Sequence, residues 1–152
     1  RLYISSPFGS LFASGQDITA DAHNTTSLAT KDLNGDGRLD IVVGNSGQTN
    51  RVYMNGLPAG TFSSGSDTAG MMYDTRGLVI ADIDQDGDND ILFANADGPN
   101  QLIENDGSGG LSVAAFSPDN QASYAVAVIE TAEALSAPTI VVANNGSPNR
   151  YY

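Results

Sequence analysis

Cysteine is absent from the 152 residues, so no disulfide holds this fold. Tryptophan is absent too, and His23 is the only histidine. A zinc site has no matching Cys or His, and any catalytic triad would have to use that one imidazole; a surface or turn histidine is the plainer reading of it. Positive charge is scarce: six Lys and Arg stand against 18 Asp and Glu, a formal net charge of −12. Nucleic-acid binding needs a basic footprint and is not expected. No run of 18 apolar residues occurs, so no membrane span is expected. The chain opens at Arg1, with neither an initiator methionine nor a signal peptide, as a processed or trimmed product does. Helical periodicity is missing from every window of useful length. A Gly-x-Ser-x-Gly nucleophile elbow is also missing, and the acids outside two tight clusters, among them Asp17, Asp21, Asp67, Asp74, Asp97 and Asp119, are scattered. The expectation is a protein that is not an enzyme.

What is present is glycine, 17 of them, with 40% hydrophobic residues: a turn-rich globular chain long enough for one domain with a core. Its chemistry concentrates at Asp82 to Asp90, where Asp82, Asp84, Asp86 and Asp90 stand at positions 1, 3, 5 and 9 of a nine-residue loop. Five aspartates so close repel one another unless a cation neutralises them. Gly87 follows position 5 and lets the backbone bend. Fifty residues earlier the pattern recurs with oxygen ligands Asp32, Asn34, Asp36 and Asp40. Arg38 and Asp88 occupy position 7, which offers its main-chain carbonyl and leaves the side chain free to vary. Calcium, with six to eight hard oxygen ligands in a flexible shell, fits this set best. An EF-hand needs a bidentate Glu at position 12 and helical flanks; position 12 is Val43 or Phe93. Two calcium ions are expected. In the third repeat the matching positions carry Thr131, Glu133, Leu135 and Thr139, so no third ion is expected. Filling by millimolar calcium outside the cell points to a secreted or cell-surface protein.

The repeat is about 50 residues long, which suggests a propeller or solenoid. Repeats fall at approximately 1–50, 51–100 and 101–149, with 150–152 starting a further phase. Each reads as four short strands. The first are Ser27 to Lys31, Gly77 to Ala81 and Ala125 to Ile129. The second are Ile41 to Val43, Ile91 to Ala94 and Ile140 to Ala143, and both sets are apolar enough for burial on both faces. The third carry Arg51 to Tyr53, Gln101 to Ile103 and Arg150 to Tyr152, with Arg1 to Tyr3 in the same phase. The fourth are Ser10 to Ala13, Gly60 to Ser63 and Leu111 to Phe116. The third-strand tyrosines are expected between blades, and Arg1, Arg51 and Arg150 are expected to pair with acids of an adjacent blade.

The stretches Asp32 to Asn45 and Thr75 to Asn95 resemble FG-GAP/VCBS repeats, whose members form β-propeller blades in integrin α-subunit heads, bacterial surface proteins and some fungal lectins. The resemblance implies an all-β chain of four-stranded antiparallel blades with calcium on the loop joining strands one and two. Propellers close with about four to eight blades. Three make an open arc, so the chain is a piece of a longer propeller, half of a six-bladed ring, a unit of a filament, or an arc capped by irregular segments such as 64–73. Incomplete blades at both ends suggest self-association. The expected function is a non-enzymatic, calcium-stabilised extracellular module for surface assembly or adhesion. The alternatives are a carbohydrate-binding lectin, with sugars bound between blades, and an accessory module of a larger secreted enzyme; the partners expected besides a further copy of the chain are a protein or glycan ligand. Asn24 and Asn145 head N-glycosylation triplets.

Overall fold

Two runs of branched and aromatic side chains, Asp40–Asn45 and Asp90–Asn95, form strands in which every residue is buried, as apolar runs bounded by turn residues should. The computed structural model describes residues 15–116, 120–129 and 137–152. Its strands are β1 (Thr25–Lys31), β2 (Asp40–Asn45), β3 (Arg51–Tyr53), β4 (Ser66–Asp67), β5 (Thr75–Ala81), β6 (Asp90–Asn95), β7 (Gln101–Asn105), β8 (Leu111–Ala114), β9 (Ser123–Ile129), β10 (Thr139–Asn144) and β11 (Arg150–Tyr151). They form three antiparallel sheets, β1-β2-β3-β4, β5-β6-β7-β8 and β11-β10-β9. No helix occurs among the described residues. The protein is all-β, with three propeller-like blades.

Register decides which face of each blade meets the next, because side chains alternate along a strand. Val42 pairs with Val52, Leu92 with Leu102 and Val141 with Tyr151. These pairs share one face, here called the front. Ile41 with Tyr53, and Ile91 with Ile103, lie on the opposite face, the rear. The front of blade one (Val42, Val52, with Leu33 and Met54) packs on the rear of blade two (Ile91, Phe93, Ile103, with Leu78 and Ile80). The front of blade two (Leu92, Leu102, with Val79 and Ile83) packs on the rear of blade three (Ile140, Val142, with Val126 and Val128). The rear of blade one (Ile41, Val43, Tyr53) meets Ile18 and Phe62.

Some strands differ from the sequence reading. β1, β5 and β9 are not buried on both faces: β1 and β9 alternate between exposed and half-buried positions apart from Ser123, and the middle of β5 is half-buried. They are the first strands of their sheets, each with an open flank, and β5 lies between β1 and β9. The fourth strand of blade one is Ser66–Asp67, paired with Val52 and Arg51, rather than Gly60 to Ser63. Residues 56–61 are instead taken up in a turn, closed by Gly56 N–H to the Thr61 carbonyl at 2.7 Å, with Phe62 bridged to Asn55. Arg51 pairs within its own blade and its lead-in segment, with Asp67 at 2.6 Å and Asp21 at 3.1 Å, not with a neighbouring blade. The N-terminal strand phases Arg1 to Tyr3 and Ser10 to Ala13, and the loop positions Thr131, Glu133 and Leu135, lie outside the described residues.

Candidate metal centre

Both aspartate loops join a first strand to a second strand: 32–39 links β1 to β2, and 82–89 links β5 to β6. The turns need left-handed backbone. Gly37 and Gly87 supply it at the sixth position (φ 82° and 100°), and Gly35 at the fourth (φ 70°). In the second loop the fourth position is Gln85, held at φ 67°.

In the second loop one carboxylate oxygen from each of Asp82, Asp84 and Asp86 lies within 4.8 Å of the other two. Asp82 Oδ2 accepts the Gly87 N–H at 3.2 Å, while its Oδ1 is buried with no hydrogen-bond partner. Asp84 Oδ1 accepts the Asp86 N–H at 3.1 Å, and Asp86 Oδ1 accepts the Asp88 N–H at 2.9 Å. This is an oxygen-only donor set with a buried atom short of a partner, so the residues present fit a hard cation. Asp88 turns its carboxylate over Gly107, where a Cβ would come within 2.4 Å.

Asp90, at the ninth position, is fully buried. Its oxygens accept the Ile83 N–H at 3.0 Å and the Asn105 N–H at 3.1 Å, closing the loop onto β7. Burial pushes its carboxyl above the usual range, those two amides oppose the shift, and the charge of Asp84 adds to it. Asp40 is its counterpart in the first loop, also fully buried, accepting from Leu33 N–H at 2.9 Å and Asn55 N–H at 2.8 Å.

The first loop is preorganised around Asp32, which accepts the amides of Gly37 (2.8 Å), Asp36 (3.2 Å) and Asn34 (3.3 Å). The Gly37 amide, then those of Asp36 and Asn34, hold its carboxyl below the usual range against desolvation. Asn34 Oδ1 accepts the Asp36 N–H at 3.2 Å. Arg38 is less free than its position suggests: its guanidinium pairs with Asp36 and donates to the Asn55 carbonyl at 2.8 Å. The two loops are tied across blades. Asn89 Nδ2 donates to the Asp32 carbonyl at 3.1 Å, and Asn105 Nδ2 to the Leu33 carbonyl at 2.8 Å. A cavity of about 460 Å³ beside the second loop is lined by Asp84, Asp86, Glu104 and Asp106.

Three residue sets that the sequence reading did not single out join the blades. Asn45 and Asn50, Asn95 and Asn100, and Asn144 and Asn149 each form one turn, in which the main-chain N–H of the first donates to Oδ1 of the second at 2.8, 2.9 and 3.0 Å. The hydroxyls of Thr25, Thr75 and Ser123 donate to Oδ1 of Asn45, Asn95 and Asn144. Asn50 Nδ2 then reaches Thr75 Oγ1 in the next blade, and Asn100 Nδ2 reaches Ser123 Oγ, both at 3.0 Å. The signal was legible as asparagines five apart, recurring at the repeat period. His23 is half-buried, its Nδ1 3.3 Å from Asn45 Nδ2. Asn24 and Asn145 are both exposed, Asn24 just before β1 and Asn145 in the 144–149 turn.

Among curated proteins none matches the chain. Residues 32–93, from the first aspartate loop through the second and into β6, match the family described as FG-GAP-like repeat. With its aspartate loop at each end and the antiparallel strands that flank them, this stretch is similar to an FG-GAP-like repeat.

Proposed function

We propose that the chain is a non-catalytic, calcium-stabilised propeller module that acts outside the cell in surface assembly or adhesion. The observation that carries the metal part is the convergence of Asp82, Asp84 and Asp86, with Asp82 Oδ1 buried and unpartnered. One ion would be held by Asp82, Asp84, Asp86, Asp90 and the main chain of Asp88, and a second by Asp32, Asn34, Asp36, Asp40 and the main chain of Arg38. Bound calcium supplies charge neutralisation and a cross-link within each loop. The chain's own residues carry that effect further: Asn89 and Asn105 hold the first loop's carbonyls, so fixing one loop steadies its neighbour. Extracellular calcium would keep such sites filled, which supports an extracellular setting.

Each filled site adds about 2.7 kcal/mol when free calcium is 100 times its dissociation constant. Chelation therefore lowers the melting temperature, and Asp84→Ala or Asp36→Ala removes part of that response. A melting curve unmoved by chelator overturns the calcium reading. The lectin reading rests on an exposed aromatic, Tyr151. Tyr53 is buried and Tyr152 packs edge-on against Phe116 at 5.2 Å, so two third-strand tyrosines are engaged in packing. Specific, saturable signals on a glycan array would favour the lectin over the scaffold.

A further inference from the structure

The two aspartate loops share a spacing but differ in how each satisfies its own oxygens. The second carries five aspartates, Asp82, Asp84, Asp86, Asp88 and Asp90. The first carries three, Asp32, Asp36 and Asp40, with Asn34 and Arg38 in place of the others. In the first loop both oxygens of Asp32 accept main-chain amides, Oδ1 from Asn34 and Asp36 and Oδ2 from Gly37. Both oxygens of Asp36 are taken as well: Oδ1 accepts the Arg38 N–H at 2.9 Å, and Oδ2 pairs with the Arg38 guanidinium. In the second loop Asp82 Oδ1 is buried without a partner, and no arginine or lysine among the described residues pairs with Asp84 or Asp86.

Arg38 is fixed in its place. Its Nε donates to the Asn55 carbonyl at 2.8 Å, and the Asn55 N–H is itself held by Asp40 at the ninth position of the same loop. The Arg38 and Asp36 side chains are only 26% and 22% exposed, so solvent and salt screen the pair in part. A planar guanidinium anchored in this way loses little further freedom on pairing. The second loop has Asp88 at the seventh position, its carboxylate lying over Gly107. One position thus brings positive charge to the first loop and negative charge to the second.

We propose that Arg38 sets the affinity of the first loop: it is a built-in counter-charge that makes this loop the weaker of the two calcium sites and the last to fill. The ranking rests on the calcium reading above. An ion held by the first loop must share Asp36 with a guanidinium, and like charges that close oppose each other. An ion held by the second loop relieves an orphaned oxygen and the mutual repulsion of its carboxylates. The first loop therefore keeps its shape when calcium is scarce, while the second depends on the metal. Asn34 also removes a charge from the first loop, so the arginine has to be tested with Asn34 in place.

The test is titration of the full chain with calcium, followed by calorimetry, with far-ultraviolet circular dichroism confirming that each variant is folded. The wild type fills in two steps. Asp36→Ala abolishes the weaker step and Asp84→Ala the tighter one. In the Asp84→Ala background Arg38→Gln tightens the remaining step about tenfold, the worth of one partly exposed charge-assisted hydrogen bond. In the wild-type background it narrows the gap between the two steps, a readout that survives if Asp84→Ala does not fold. Arg38→Lys keeps the charge and loses the fork that reaches Asn55, so it tightens the step less than about threefold; a residue that only held Asn55 would give the same result with Gln and with Lys. Two equal steps, loss of the weaker step in Asp84→Ala, or an Arg38→Gln chain no tighter than its parent overturns the proposal and leaves the calcium reading standing. No saturable calcium uptake by the wild type overturns both.

Discussion

Asp40 is a carboxylate with no exposed surface, and two main-chain amides, those of Leu33 and Asn55, explain how it remains there. Replacing it with alanine leaves both donors buried without acceptors, at about 1–3 kcal/mol each. Asp40→Ala should therefore lose about 2–6 kcal/mol in denaturant unfolding, even in chelator. A loss seen only with calcium present would show that Asp40 acts as a ligand alone. Gln85 offers the opposite kind of change. It occupies the left-handed backbone that Gly35 fills in the first loop, a conformation costing a side-chain-bearing residue about 1–2 kcal/mol. Glycine relieves that cost and gives part of it back as unfolded-chain entropy. Gln85→Gly should gain about 0.5–1 kcal/mol by the same measurement, and a loss would mean that the Gln85 side chain makes a contact worth more than the strain. At this scale the spacing of oxygen-bearing residues was plain in the sequence. Which oxygens accept main-chain amides was not, because that depends on where β3 and β7 bring Asn55 and Asn105 back beside the loop. The grip of Arg38 on Asp36 was hidden for the same reason.

At the scale of elements, strand order explains both the successes and the corrections. The fully buried second strands were legible because β2 and β6 are continuous branched runs. The exposure of the first strands was not, since β5 has the same apolar look as β6 and only sheet order makes it an edge. The fourth strand of blade one was misplaced because Gly60 to Ser63 resembles a short strand, whereas the turn after β3 uses those residues to return the chain. The junction between the first two blades carries a pH-sensitive link. Asp74, bridged to Ser46 at the end of β2, has its carboxyl held below the usual range by the Ser46 hydroxyl first, with Arg76 adding and desolvation opposing. A depressed carboxyl stabilises the fold above its unfolded pKa, about 3.9, and that stability is lost as pH falls through the lower folded value. Urea midpoints taken across the acid range should fall below about pH 4, and Asp74→Asn should flatten part of that fall. An unchanged acid limb in the variant would remove Asp74 from the cause.

For the whole molecule, stability in a stacked array is a sum of blade and junction terms, and here the terms are unequal. Blade one and blade two each have four strands and a second strand buried along its whole length. Blade three has three strands among the described residues, and only Ile140 and Val142 of β10 are fully buried. It is held on one side, by the cluster around Leu92 and Leu102. Local opening draws on the parts with least buried apolar surface. Amides of β2 and β6 should therefore exchange with deuterium most slowly, near the global unfolding limit, while those of β9, β10 and β11 exchange faster at low protein concentration. Equal protection of all three blades in the dilute chain would mean that blade three draws its stability from contacts other than the junction around Leu92 and Leu102.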